Sequence, residues 1–135
     1  MKKIAIILVA ISLASVVLSA CNTKAEPIYL PEQSEIEAVQ ITNAEQIFDE
    51  IDLDWIAELI EQASLAKPTS KATVQDVPNI SEYIKIDLIL SNGTTSTLFV
   101  YQEKNEWYIE QPYQGIYLTD NAFIDMLTAF QLSSE

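Results

Sequence analysis

The sequence predicts an α+β domain in which two helices pack on one face of an antiparallel sheet. Two observations carry this. Tyr83 to Leu90 alternates with period two and runs into an Asn-Gly turn, and two other stretches repeat apolar residues at helical spacing. Strands and helices that follow one another in this order build a sheet with helices segregated to one side. The expected sheet is a three-strand C-terminal meander joined by one or two N-terminal strands.

The elements follow in order. Ile36 to Thr42 reads as a first strand, with Val39 and Ile41 on one face. Gln46–Glu50 is either a second strand or a helical turn. A helix begins near Asp52, where Ile56, Leu59, Ile60 and Ala63 make one buried stripe. Asp52 caps the exposed amides, Ile51 staples onto Ile56, and Lys67-Pro68 supplies the stop. After a polar loop, Ile84, Ile86, Leu88 and Leu90 point one way, while Tyr83, Lys85, Asp87 and Ile89 point the other. Asn92-Gly93 is a strong hairpin signal, because both residues tolerate positive φ. Thr95 to Tyr101 returns as the partner strand, and a turn at Glu103–Glu106 leads into Trp107–Gln111. Thr119 or Asp120 then caps a last helix with the stripe Phe123, Met126, Leu127 and Phe130.

Ahead of this body, Lys2 and Lys3 precede an apolar run from Ile4 to Ala20, broken only by Ser12, Ser15 and Ser19. A basic start, an apolar stretch and small residues before a cut site define a secretory signal peptide. Seventeen apolar-rich residues also stand at the lower limit of the roughly 20 needed to span a bilayer. Leu18-Ser19-Ala20-Cys21 resembles the lipobox of bacterial lipoproteins. That resemblance implies cleavage before Cys21, a diacylglyceryl group on its sulfur, and a protein held on the extracytoplasmic face of the membrane. Two acyl chains anchor stably where one does not. The expected organisation is a leader over 1–20, the lipidated cysteine with a flexible tether over 21–34, and one domain over 35–135. Thirteen tether residues would reach about 20 Å.

Composition excludes more than it includes. Loss of the leader leaves five lysines against twenty acids, a net charge of −15, with no arginine and no histidine. Such a chain lacks the cations that dominate nucleic-acid affinity. Without histidine, the commonest general base and the usual zinc ligand are missing. No cofactor or metal is expected. Cys21 is the only cysteine, so the domain has no internal disulfide and must be stable through its core.

Two blocks, Thr73-Val74-Gln75-Asp76-Val77-Pro78 and Tyr108 to Tyr117, are similar to a family of small Gram-positive lipoproteins and extracytoplasmic modules classed as a domain of unknown function. The resemblance spans roughly residues 36–131. It implies a shared fold and an exported location, and brings no activity or ligand.

Three candidate sites remain. Ser64-Leu65-Ala66-Lys67 has the Ser-x-x-Lys spacing of penicillin-interacting enzymes, but the Lys-Thr-Gly and Ser-x-Asn triplets those enzymes need are absent. Glu50, Asp52, Asp54, Glu58 and Glu61 fit positions of a calcium loop, yet Trp55 stands where that loop needs glycine. The stretch reads instead as an amphipathic helix, with Asp54, Glu58 and Glu61 as its solvated face. The aromatic cluster Tyr101, Trp107, Tyr108, Tyr113 and Tyr117, with Glu106 and Glu110, is the best candidate, because such faces stack on and bond to sugars or peptides. Alternation puts Trp107 and Ile109 on one face and Tyr108 and Glu110 on the other, so half the cluster belongs to the core. The candidate binding surface is Tyr108, Glu110, Tyr113 and Tyr117, and its expected partner is an envelope protein or cell-wall glycan. The alternatives are a carboxylate hydrolase built on Glu106 and Glu110, or an inhibitory module against an exported enzyme.

Overall fold

A computed structural model describes residues 24–133 apart from residues 45 and 74; the leader and Cys21 lie outside the described residues. The elements are β1 (Ile36–Asn43), β2 (Gln46–Glu50), α1 (Leu53–Ser64), β3 (Lys67–Pro68), β4 (Ile84–Leu90), β5 (Thr95–Glu103), β6 (Glu106–Gln111), β7 (Gly115–Thr119) and α2 (Asn121–Ser133). The strands form one antiparallel sheet in the order β2-β1-β4-β5-β6-β7-β3.

Alternation sorts the side chains onto two faces. Val39 and Ile41 pair with Leu88 and Ile86 across β1–β4, and these four are fully buried. Leu98, Val100 and Ile109 extend the same face, where Ile56 and Leu59 of α1 and Phe123 and Leu127 of α2 complete one core. Each such side chain contributes about 1.5–3 kcal/mol when it leaves water. The N-caps follow the expected chemistry, whereas Ile51, expected to staple onto buried Ile56, is 73 % exposed. Asp52 Oδ1 accepts from the Trp55 amide at 2.9 Å, and Asp120 Oδ1 from the Phe123 amide at 3.3 Å. Of the expected α2 stripe, Phe123, Leu127 and Phe130 are buried while Met126 is half-buried.

The α+β class stands, with more strands than the sequence suggested. Gln46–Glu50 is a strand. The C-terminal meander has a fourth strand, β7, and β3 adds a two-residue edge beside it. The turns also differ in type. At Ser91–Thr94 only Gly93 is left-handed, at φ 85°, and its amide bonds to the Leu90 carbonyl, so the loop is longer than a two-residue hairpin. The turn with both central residues at positive φ is instead Lys104-Asn105, at 52° and 65°.

Of the tether expected over 21–34, the described residues from Ala25 to Leu30 are docked on the body, which corrects that expectation. The Ala25 amide donates to the Thr69 carbonyl at 3.0 Å, and Ile28 and Leu30 pack against the core. The Gln111 side chain bonds the Tyr29 backbone twice, accepting from N–H at 2.9 Å and donating to the carbonyl at 2.6 Å. Apolar Ile28 and Leu30, spaced among prolines, gave no helical or strand period. Their burial against the body was therefore not visible in sequence.

Candidate functional site

The sheet face away from the helices is partly covered by residues 69–83, an irregular strap between β3 and β4. Ile80 and Tyr83 of the strap pack on a small cluster of Tyr101, Tyr108 and Ile116. Tyr83 also meets Phe99 edge-on, with ring centroids 5.2 Å apart.

Polar contacts fasten the strap. Thr73 Oγ1 donates to Glu110 Oε1 at 2.6 Å, and Tyr101 Oη to Glu110 Oε2 at 3.1 Å. Lys71 pairs with Glu103 and holds its ammonium 4.1 Å from the centre of the Tyr108 ring. Tyr113 Oη donates to Asp76 Oδ1 at 2.8 Å. The two sequence blocks singled out above, Thr73–Pro78 and Tyr108–Tyr117, are therefore the two sides of one contact.

The four candidate residues separate. Tyr108 and Glu110 lie on the strap side of β6, as alternation required. Glu110 is only 2 % exposed, and both of its oxygens are bonded, so it is a fastening and not a ligand contact. Tyr108 is buried too, and its hydroxyl donates to Glu106 at 2.8 Å. Tyr117 is fully buried on the helix side, where its hydroxyl donates to the Glu26 carbonyl at 2.7 Å. Its pairing with Ile109 across β6–β7 puts it there. Tyr113 is 65 % exposed and remains available.

The tyrosines are electrostatically graded by these surroundings. Burial, then the Glu110 carboxylate, pushes the Tyr101 hydroxyl well above its usual pKa. Burial raises Tyr117, and the bond to Asp76 raises Tyr113. Glu106 and Glu110 do not converge: four residues along one strand separate their Cα positions by about 13 Å. That spacing, with Glu110 sealed, does not fit the paired carboxylates of a glycoside hydrolase. Ser64 of the Ser-x-x-Lys stretch donates its hydroxyl to the Glu61 carbonyl, while Lys67 enters β3.

The turn at Tyr113 is under strain. The Gln114 amide bonds to the Gln111 carbonyl at 3.0 Å, so Gln111-Pro112-Tyr113-Gln114 is a β-turn. Pro112 takes its second position and Tyr113, at φ 63°, its third. Such a turn asks for glycine or asparagine there. A side chain in the left-handed region costs roughly 1–2 kcal/mol. Beside Tyr113 lies an open groove of about 530 Å³, lined by Asp76, Val77, Lys85, Thr97, Phe99 and Pro112 among others. Neither Asp76 nor Lys85 stood out as a site residue in the sequence: the strap brings Asp76 to the β6–β7 turn, and the β4–β5–β6 pairing places Lys85 in the groove.

Fold and groove together define a small α+β domain that presents a polar, aromatic-rimmed groove on the strap side of its sheet. The chain belongs to the DUF5301 family, described as "Domain of unknown function (DUF5300)", which it matches over residues 24–118. That span includes the docked N-terminal segment and the strap, and it stops before α2. The chain is also similar to the NMR structure of a protein from Ruminococcus gnavus. The two are 32% identical, with a TM-score of 0.65, over 73% of this chain and 97% of that one. No curated protein matches the chain.

Proposed function

We propose that the protein is a lipoprotein, held at the extracytoplasmic face of the cell membrane through lipid on Cys21, and that its domain is a non-catalytic binding module centred on Tyr113. The lipobox-like Leu18–Cys21 supports the anchor. One observation carries the binding role: an aromatic residue, 65 % exposed, occupies a left-handed turn position that glycine would fill without strain. Backbone strain persists where the surroundings hold it in place, and it clusters at functional positions. Here the Asp76 bond fixes the ring at the rim of the groove. The partner is an envelope protein or a cell-wall glycan.

Tyr113→Gly separates function from fold. Relief of strain should leave the melting temperature equal or higher. Retention of the detergent-solubilised protein on stripped peptidoglycan, or on one membrane protein, should fall at least about tenfold, the equivalent of 1.4 kcal/mol. Undiminished retention would remove Tyr113 from the site. The anchor has its own test: the wild-type protein should incorporate labelled palmitate and lose residues 1–20, and Cys21→Ser should abolish both.

A further inference from the structure

Beside the stripe that faces the core, helix α2 carries a second, largely apolar one, of which only Met126 packs against the core. Phe123, Leu127 and Phe130 face the sheet. Ala122, Met126, Ala129 and Ser133 repeat at intervals of four, three and four residues along another side. They are exposed except for half-buried Met126. Together with Trp55 of α1 they line an open groove of about 630 Å³ between the helices, with Trp55 and Phe130 stacked 4.6 Å apart beneath it. Every charged residue of its lining is acidic: Glu50, Asp52 and Glu58. Neither helix contains a lysine, and together they contain Asp54, Glu58, Glu61 and Asp125.

We propose that this groove receives an amphipathic helix from a partner protein, with an apolar stripe flanked by lysines or arginines. Alternate spacings of three and four residues form the seam along which helices pack at small crossing angles. Alanines at exposed seam positions let a second backbone approach closely. A groove floored by side chains offers no ladder of backbone donors and acceptors, so the occupant must satisfy its own backbone, as a helix does. From Ala122 to Ser133 the seam is about 17 Å long, three turns of helix. The charge selects among occupants. A second copy of this chain brings the same acidic margin and is repelled, and so are anionic lipid head groups. The surface is separate from the Tyr113 groove, so the two readings stand or fall independently.

The test uses the full chain in nonionic detergent, with Trp107→Phe so that emission reports Trp55 alone. The probes are a synthetic three-turn leucine–lysine helix and the same peptide with glutamate for lysine. The basic peptide should shift Trp55 emission saturably, more weakly as salt rises, while the acidic peptide should bind at least about tenfold more weakly. Ala129→Lys should block the seam, and Glu58→Lys should weaken binding by a similar factor, with helix content unchanged by circular dichroism. Tyr113→Gly should bind as before. Equal affinity for both peptides, absence of saturation, or indifference to both groove substitutions would overturn the proposal. So would concentration-dependent self-association that alone shifts Trp55 emission.

Discussion

At Gly115 the backbone leaves no room for a methyl group. A Cβ there would stand 2.5 Å from Ala25 Cβ and 2.9 Å from the Tyr117 hydroxyl. The first of these atoms belongs to the docked N-terminal segment, and the second holds that segment through the Glu26 carbonyl. Gly115→Ala should therefore loosen residues 24–31 and cost about 1–3 kcal/mol, the usual range for overfilling a packed site. Urea denaturation measures this, and an unchanged midpoint would mean that the segment does not lie against β7 in solution. The left-handed position of this turn is Tyr113, whereas Gly115 supplies space. Pro112 hinted at the turn, but its third position was hidden because tyrosine is an improbable occupant there. Tyr117 was misjudged for a related reason. Without β7 in view, nothing assigned it a face.

Elements were legible in proportion to their length. Seven alternating residues in β4 and the helical stripe of α1 declare themselves, while β3, with two residues and a proline, offers no period to read. The strap has no period at all, and its place follows from polar contacts between residues distant in sequence. One of these makes it pH-sensitive. Lys71 holds the Glu103 carboxyl below its ordinary 4.5, and Glu103 raises the Lys71 ammonium above its ordinary 10.5. The Glu103 contribution is present above its unfolded pKa and is lost as pH falls through the lowered folded value. The Lys71 contribution is present below its unfolded pKa and is lost as pH rises through the raised folded value. Both side chains are largely exposed, so the effect is local and small, screened as surface pairs are. Proteolysis within 69–83 should be slowest between these limits and quicken on either side, with the Lys71→Gln variant flat across the same range. A wild-type profile as flat as that of the variant would mean that the pair does not hold the strap.

For the whole molecule, the docked segment changes how an anchored domain would sit. From Cys21 to Ala25 there are four residue steps, which span about 14 Å at full extension. A flexible tether through residue 34 would have let the acidic body stand off. With the proposed lipid on Cys21, a leash ending at Ala25 would instead hold it near the lipid, within about two Debye lengths at physiological salt. Three of the five lysines outside the leader, Lys24, Lys67 and Lys71, fall within two residues of the Ala25–Thr69 hydrogen bond. Lysines thus gather where such a leash would bring the body down, which would lessen its repulsion from anionic head groups. Energy transfer from the tryptophans to an acceptor on vesicle head groups should be efficient for the lipidated protein. A Gly-Ser insert of about twelve residues between Thr23 and Lys24 adds a coil of about 20 Å. That insert should reduce the transfer strongly, with lipid on Cys21 verified by mass in both proteins. Equal transfer with and without it would mean that residues 24–31 leave the body when the protein is anchored, and that the leash is as long as the unfolded segment.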